Sequence, residues 1–283
     1  MSAAVPTDAG DDHGANTAHD FALLTRKISV ERGFGCASYK EKCLRRRIAV
    51  RMRARGVHTY EDYAHVLDAD ASEYDRLIDA LTINVTKLFR NWDVYAAMAA
   101  TVVPALWHRE APSIRVWSAG CSSGEEPYSI AILFHRFAAM NGMLAQLGRL
   151  SVLGTDIDRQ SLAAAERGQF DEGDFTDTPD ELRARYFTPD PPFTVARAIR
   201  EMVRFERRDL LSDPAPDGAF DLIVCRNVLI YFDRDTQERL FDVFHRSLAP
   251  EGFLVLGKVE TLLGRARSRF VSVGARERIF RRL

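Results

Sequence analysis

The sequence lacks the features that would place it in several large classes of protein. No apolar run among its 283 residues approaches the roughly twenty consecutive positions that a membrane-spanning helix needs. The first nineteen residues contain no basic segment and no apolar core, so they do not resemble a signal peptide. We therefore expect a soluble cytoplasmic protein without direct membrane insertion.

Cysteine is scarce, and its spacing does not fit the usual zinc sites. The four cysteines form no C-x-x-C pair, and no histidine stands at zinc spacing from them. Cys121 and Cys225 lie beside apolar strands and are predicted to be buried thiols, as expected in a reducing cytoplasm. The seven histidines are scattered along the chain, so we expect no metal.

Net charge is also nearly absent. The 39 basic and 40 acidic residues leave a formal charge of −1, so any basic surface must be local. The hydrophobic content of 46% is ample for a core, and the length suits one large domain and one small domain.

The dinucleotide fingerprint G-x-G-x-x-G is missing, and a different glycine pattern takes its place. Residues 114–130 run from an apolar strand through Gly120 and Gly124 into a helix predicted from about Pro127 to Leu147. This order turns backbone N–H groups toward a ligand at the carboxyl end of a sheet. By spacing alone, an ordinary glycine-containing turn stays open as an alternative.

Acidic residues around this loop favour a cationic ligand that carries a ribose. Glu125 and Glu126 stand at the helix start, where two carboxylates would repel a phosphate. Asp156 follows the next apolar strand, where an acid can accept both ribose hydroxyls. The sequence thus favours S-adenosylmethionine over a pyrophosphate cofactor.

The two halves of the chain differ in their periodicity. A tail at residues 1–19 is expected to be disordered, and residues 20–92 show helical spacing of apolar residues. From residue 114 onward, strands and helices alternate, which predicts a doubly wound α/β sheet. Its predicted strands are residues 114–117, 152–154, 203–205, 220–225 and 253–256, followed by a hairpin near 270 and 278–280.

One helix of the first half, residues 42–55, carries six arginines and no acid. Its apolar stripe leaves Arg46 and Arg53 on the far side, with Arg47 and Arg51 flanking the stripe. Because like charges repel, we infer an acidic partner. A merely solvated helix face stays open.

Four blocks of the sequence stand out together, at residues 81–90, 117–130, 154–158 and 220–232. In content and order they resemble the CheR family, the S-adenosylmethionine-dependent methyltransferases that esterify receptor glutamates in bacterial chemotaxis. The resemblance runs from about Phe21 to the C-terminus. It implies a helical receptor-docking domain at 20–92 and a Rossmann-like methyltransferase domain at 93–283, with an inserted small β-subdomain at 170–200.

The resemblance also implies which residues contact the cofactor and its product, S-adenosylhomocysteine. They are Asn84, Thr86, Arg90, Gly120, Glu125, Asp156, Asp209, Leu210, Arg226 and Asn227. Asp209 would face the exocyclic amine of adenine, and Leu210 would cover its ring. From the residues alone, Asn84 and Thr86 fit a helix cap or turn equally well.

Methyl transfer to a glutamate needs no general base, because free glutamate has a pKa near 4.3 and is already ionised. The enzyme must instead dehydrate the carboxylate and align it. Arg90 is predicted to hold the carboxylate and Tyr231 to donate a hydrogen bond. Without the resemblance, Tyr231 could be a core aromatic and Arg226 a surface ion pair.

The resemblance further implies that the arginine helix docks on the acidic cytoplasmic bundle of a receptor, through Arg46, Arg47, Arg51 and Arg53. Some family members grip a tethering pentapeptide with a glycine-containing loop. No glycine occurs between Asp174 and Asp217, which favours the tether-independent type. We expect the chain to be a monomer. Residues 258–260 read Lys-Val-Glu where the family often has His-Ser-Glu, so the role of this loop stays open.

Two other functions remain as alternatives. A cofactor-binding scaffold without turnover would need neither Arg90 nor Tyr231. A nucleic-acid methyltransferase could use the arginine helix, but no aromatic residues are interleaved with its arginines. Residues 226–229 also replace the Asn/Asp-Pro-Pro-aromatic motif of amino methyltransferases. The sequence therefore favours a protein-glutamate methyltransferase without a nucleic-acid partner.

Overall fold

The computed structural model describes residues 17–82, 85–109 and 111–283. It divides into two compact units, Met1–Ile83 and Asn84–Leu283, so the division falls earlier than the predicted boundary at 92. We call them the helical unit and the sheet unit. The predicted disordered tail lies mostly outside the described residues, and the first helix begins at Ala18.

The helical unit contains no strand among its described residues. Its helices are α1 (Ala18–Arg32), α2 (Glu41–Ala54), α3 (Tyr60–Ala69) and α4 (Ala71–Leu81), with a short 3-10 helix at Cys36–Ser38. A capping box starts α1, because the Thr17 hydroxyl accepts from the Asp20 N–H while the Asp20 carboxylate accepts from the Thr17 N–H. The helices bury one apolar core at the predicted spacing, including Leu24, Ile28, Leu44, Ile48, Tyr63 and Leu77.

The sheet unit is built on a seven-stranded sheet. Its strands and those of a small two-stranded sheet are β1 (Ile114–Ala119), β2 (Leu150–Asp156), β3 (Gln169–Phe170), β4 (Phe193–Thr194), β5 (Val203–Arg207), β6 (Phe220–Cys225), β7 (Leu248–Leu256), β8 (Phe270–Gly274) and β9 (Ile279–Arg282). The large sheet has the order β5-β2-β1-β6-β7-β9-β8. Neighbours from β5 to β7 are parallel, whereas β9 is antiparallel to β7 and β8. The doubly wound sheet is therefore confirmed.

Helices cover this sheet. They are α5 (Trp92–Ala100), α6 (Val102–Trp107), α7 (Glu125–Met140), α8 (Arg159–Arg167), α9 (Asp180–Tyr186), α10 (Arg197–Arg200) and α11 (Arg234–Ser247), with 3-10 helices at Leu144–Arg149, Glu172–Phe175, Leu229–Tyr231 and Gly264–Ser268. The prediction that α7 reaches about Leu147 is wrong. Gly142 has a φ of 69°, and the Met143 N–H donates to the Ala138 carbonyl at 2.7 Å, which ends the helix with a left-handed turn.

Apolar residues of the parallel strands form a packed core that supports the carboxyl edge of the sheet. Val116, Val152 and Leu222 are fully buried in one core with α7. On β1, the Trp117 ring packs at a tilt against the Phe220 ring, and its indole N–H donates to the Thr155 hydroxyl at 2.8 Å. Because such strands are fixed on both sides, the loops at their carboxyl ends start from rigid positions.

The segment predicted as an inserted β-subdomain, residues 170–200, contains little strand. It has the antiparallel pair β3–β4, an isolated bridge from Phe187 to Val195, two short α-helices and one 3-10 helix. Edge-to-face contacts of the Phe175 ring with Phe187 and Phe193 hold it together. The described helices of the whole chain include none with the length and apolar character of a membrane span.

Candidate active site

The loop after β1 turns sharply at Gly120, which has a φ of 80°. The N–H groups of Gly120 and Cys121 both donate to the Thr155 carbonyl on β2, at 2.8 and 2.9 Å. A Cβ on Gly120 would lie 2.5 Å from Cγ2 of Val228. The glycine is therefore required both by the left-handed turn and by the close approach of the loop after β6.

Glu125 is the first residue of α7, and its side chain is only 3% exposed. The Ser123 hydroxyl donates to its Oε1 at 2.8 Å, and the Thr86 side chain also hydrogen-bonds to this carboxylate. Burial raises the pKa of Glu125 to about 7. Two of the predicted site residues, Thr86 and Glu125, thus meet at the helix start.

Asp156 ends β2 beside the same loop. Its Oδ2 accepts from the Ser122 N–H at 2.8 Å, and its Oδ1 accepts from the Asp158 N–H at 3.0 Å. Burial raises the pKa of Asp156 although both bonds favour the ionised form. The carboxylate is therefore fixed in orientation at the carboxyl edge, between the ends of β1 and β2.

The segment at residues 85–91, which carries Arg90, is fastened to the sheet unit at several points. The Phe89 N–H donates to the Ser129 hydroxyl on α7 at 2.9 Å, and the Asn91 N–H donates to Asp177 Oδ2 at 2.7 Å. Phe89 and Asn91 both have positive φ, at 52° and 61°, which costs of the order of 1–3 kcal/mol each and requires such support. Asn84 lies outside the described residues.

Arg226, directly after β6, is 6% exposed, so the surface ion-pair interpretation is wrong. Its Nη2 donates to the Arg90 carbonyl at 2.9 Å and to Asn91 Oδ1 at 3.1 Å. Its guanidinium carbon lies 5.3 Å from the centre of the Tyr95 ring. Arg226 therefore links the end of β6 to the backbone that carries Arg90.

Glu126 lies beneath this link. Burial raises the pKa of its carboxyl group to about 7, while the positive charge of Arg226 opposes that shift. The Ser118 hydroxyl donates to Glu126 Oε1 at 2.8 Å. Glu126 thus places a buried carboxyl group near Arg226, a proximity that its position in the sequence did not indicate.

The loop after β6 carries Asn227 and Tyr231. Asn227 has a φ of 62°, and its buried Oδ1 accepts no hydrogen bond from the described part of the chain. Tyr231 is partly exposed at the end of the 3-10 helix Leu229–Tyr231. An amide oxygen without a partner is an acceptor available to a donor group of a bound ligand.

Asp209 and Leu210 follow β5. Both carboxylate oxygens of Asp209 bind its own loop, Oδ1 accepting from the Leu211 N–H and Oδ2 from the Ser212 hydroxyl, each at 2.9 Å. Leu210 is half-buried. The adenine contacts expected of both residues stay predictions, and Asp209 would use its remaining lone pairs for them.

The carboxyl edge therefore offers buried carboxylates, an unpartnered amide oxygen and a tight glycine turn, which fit a cation with amine and hydroxyl donors. The chain matches the family description "CheR methyltransferase, SAM binding domain" over residues 84–279 and "CheR methyltransferase, all-alpha domain" over residues 19–82. It belongs to the CheR methyltransferase family. Its cofactor is accordingly S-adenosylmethionine, and the chain is a methyltransferase.

Individual relatives align over most of this chain. It is 34% identical over 248 residues to a chemotaxis protein methyltransferase of Listeria monocytogenes, covering 87% of this chain and 92% of that one. It is 35% identical over 250 residues to a chemotaxis protein methyltransferase of Klebsiella aerogenes, covering 85% and 82%. It is also 34% identical over 280 residues to an uncharacterized 104.1 kDa protein of Rhodobacter capsulatus, covering 97% of this chain and 29% of that one.

The arginines of the CheR all-alpha domain are less free than predicted. Arg51 makes two hydrogen bonds, at 2.9 and 2.7 Å, to the carboxylate of Glu73, which is 0% exposed. Arg47 is 5% exposed and donates to the Leu81 carbonyl. The inference that these cations lack compensating acids is therefore wrong for Arg51, and neither residue presents its side chain freely for docking. Arg46 and Arg53 are exposed as predicted.

The cysteines of the CheR SAM-binding domain are structural. Cys121 and Cys225 are buried, as predicted, and burial raises the pKa of each thiol well above its ordinary value. Neutral thiols are poor nucleophiles. No group of three or more His, Cys, Asp or Glu side chains within the described ranges is arranged to hold a metal ion.

Asp156 should determine much of the affinity for the cofactor. Asp156→Ala removes a fixed charged acceptor, and binding of S-adenosylhomocysteine should weaken by about 1–3 kcal/mol. Asp156→Asn keeps one acceptor oxygen for the loop, and its affinity for S-adenosylhomocysteine should lie between those of the wild type and Asp156→Ala. Isothermal calorimetry checks this, with circular dichroism to confirm folding. Equal affinities for all three proteins would contradict a ribose contact.

Cofactor affinity should also depend on pH. The raised pKa of Glu125 means that its carboxyl group is largely protonated at pH 6 and ionised at pH 8. The predicted contact of Glu125 with the cofactor is an attraction to its cationic group and needs the ionised carboxylate, so affinity for S-adenosylhomocysteine should increase about tenfold over this interval. Glu125→Gln should bind more weakly at pH 8 and show a flatter profile. A wild-type profile as flat as that of the variant would contradict this role.

Proposed function

We propose that this chain transfers the methyl group of S-adenosylmethionine to glutamate side chains of chemoreceptor cytoplasmic domains, giving glutamyl methyl esters. We further propose that it acts in the cytoplasm as a monomer. The relatives named as chemotaxis protein methyltransferases support this pathway. The observation that favours a carboxylate as the methyl acceptor is the position of Arg90. Its segment is anchored to Arg226 and α7, beside the buried acids of the cofactor site.

The cofactor, when bound, supplies a methyl group on a positively charged sulfur. Arg90 would hold one oxygen of the substrate carboxylate and leave the other oxygen aimed at that methyl group. Tyr231 would donate a hydrogen bond from the loop after β6. Because the substrate carboxylate is already ionised when it binds, no residue has to remove a proton from it. The reaction therefore needs no general base.

A cationic residue at the substrate position favours acidic substrates over amines. Arg90 would attract a carboxylate and repel an ammonium group, whereas an amine methyltransferase needs acceptors for the N–H groups of its substrate. The proposal therefore favours a carboxylate over an ammonium group at the methyl-accepting position.

Receptor docking would use the exposed arginines of α2. Arg46 and Arg53 could face an acidic helical surface, because exposed cations contribute to association mainly through charge complementarity. We propose docking without a pentapeptide tether, since the stretch between Asp174 and Asp217 has no glycine for a gripping loop.

The test is incubation with methyl-labelled cofactor and a panel of receptor cytoplasmic domains. Carboxyl methyl esters release labelled methanol on mild alkaline treatment, whereas N-methyl groups do not. We expect alkali-labile label on receptor glutamates, located by mass spectrometry, and none on DNA or RNA. Alkali-stable label, or label on nucleic acid, would overturn the proposal. Cofactor binding without any turnover on the panel would favour the scaffold alternative.

A further inference from the structure

One buried carboxylate joins the loops after β6 and β7. Glu260 is 4% exposed, and its Oε2 accepts from the Gly257 N–H at 2.6 Å and from the Asn227 N–H at 3.0 Å. Its Oε1 accepts from the Ile230 N–H at 3.3 Å. A carboxylate offers about four lone-pair sites, which lets one side chain satisfy all of these donors.

These donors flank the residues for which site roles are proposed. Asn227 carries the unpartnered Oδ1 and has left-handed backbone, which a residue other than glycine keeps only when its surroundings enforce it. Ile230 directly precedes Tyr231 within the same 3-10 helix. Glu260 thus binds the backbone at both ends of the stretch that presents Asn227 and Tyr231.

The backbone packs tightly around this carboxylate, with no room for a side chain at Gly257. A Cβ on Gly257 would lie 2.7 Å from Glu260 Oε2 and 2.8 Å from the Asn227 nitrogen. The backbone at residue 257 therefore approaches the loop after β6 as closely as atoms allow. Any shift of the carboxylate would move Asn227, and with it the Arg226 side chain that holds the Arg90 carbonyl.

Burying a charge is costly, and here the cost is offset because the carboxylate accepts from three backbone N–H groups that a hydrophobic residue would leave unsatisfied. The Glu260 carboxylate thereby holds the geometry of the cofactor edge. We propose that Glu260 is a positioning residue for methyl transfer, which fixes Asn227 toward the cofactor and Tyr231 toward the substrate without touching either ligand. This inference rests on the roles proposed for those two residues.

Two substitutions of Glu260 separate its effect on Asn227 from its effect on Tyr231. Glu260→Gln keeps one oxygen for the Asn227 and Gly257 N–H groups but turns an NH₂ group toward the Ile230 N–H. It should lower kcat about ten- to hundredfold and change affinity for S-adenosylhomocysteine less than about threefold. Glu260→Ala removes the hydrogen bonds to both ends of the loop after β6, and it should also weaken S-adenosylhomocysteine binding about tenfold.

A double-mutant cycle with Tyr231→Phe decides whether Glu260 acts through Tyr231. Tyr231→Phe alone should lower kcat about five- to thirtyfold, as for the loss of one hydrogen bond. The Glu260→Gln, Tyr231→Phe double variant should be barely slower than the slower single variant. Effects that multiply would contradict the proposal.

The control for lost stability is Phe270→Leu, which trims a buried ring on β8, the edge strand of the large sheet, where it packs against His245. It should lower the melting temperature without lowering kcat at a temperature where the protein stays folded. If the Glu260 variants also lose only melting temperature, the positioning role is wrong. Calorimetry on Glu260→Ala needs no methyl acceptor, so its result stands even if wild-type protein fails to methylate receptors.

Discussion

Replacing Arg90 with alanine should lower kcat for receptor methylation about a hundred- to thousandfold, the usual cost of removing one positioned donor. The structure makes this variant informative, because the Arg90 carbonyl, not its side chain, receives the hydrogen bond from Arg226. Truncation therefore leaves that anchor in place. The guanidinium itself donates to the Val85 carbonyl at 2.8 Å, so a modest loss of cofactor affinity is also expected.

Single-turnover methylation at saturating cofactor measures this effect separately from binding. Arg90→Lys is the matched variant, since it keeps the positive charge but loses the planar fork, and it should recover only part of the rate. Circular dichroism establishes that each variant is folded. Full activity of Arg90→Ala would refute the carboxylate-holding role and leave Arg90 as a structural residue of its segment.

The second large effect is expected at the arginine helix. Arg46→Glu combined with Arg53→Glu should abolish methylation of membrane-embedded receptor and leave affinity for S-adenosylhomocysteine unchanged. The two substitutions change the charge of one exposed face by four units, which turns attraction to an acidic surface into repulsion. Wild-type KM for receptor should also rise with salt, because exposed charges are screened.

Arg26→Glu with Arg204→Glu is the control pair, because it makes the same change in net charge at exposed positions outside α2. It should leave methylation close to wild type. Equal loss in both pairs would assign the effect to net charge, and unchanged activity of the α2 pair would mean that this face is only solvated. Reversing Arg51 would not test docking, because it would leave Glu73 buried opposite a like charge.

Local signals in the sequence were sufficient for the sheet. Each parallel strand is an apolar run, because its side chains are buried on both faces, and the acid at the end of β2 falls where such a sheet binds a ribose. The end of α7 was missed although Gly142 signals it. That error is a local one, which closer attention to glycine would have prevented.

Other features depend on partners distant in the sequence. Glu73, which neutralises Arg51, lies on a different helix, and the contacts of Arg226 lie on a segment far upstream. Periodicity cannot reveal such pairs, because it reports which face is buried and not which side chains meet there. Glu260 had a usable signal, since it is an acid shortly after a buried strand at the ligand edge, as Asp156 is.

The hydrogen bonds that hold the Arg90 segment bear on how this enzyme can be re-engineered. The Leu88 N–H donates to the Asp174 carbonyl at 3.0 Å, and the Thr178 hydroxyl donates to the Leu88 carbonyl at 3.3 Å. Both partners belong to the insert at residues 170–200. A chimera that exchanges this insert for that of another methyltransferase would therefore also change the position of Arg90, the residue proposed to hold the substrate. Grafts should begin after Thr178, so that recognition can be altered while the gripping segment keeps its anchors.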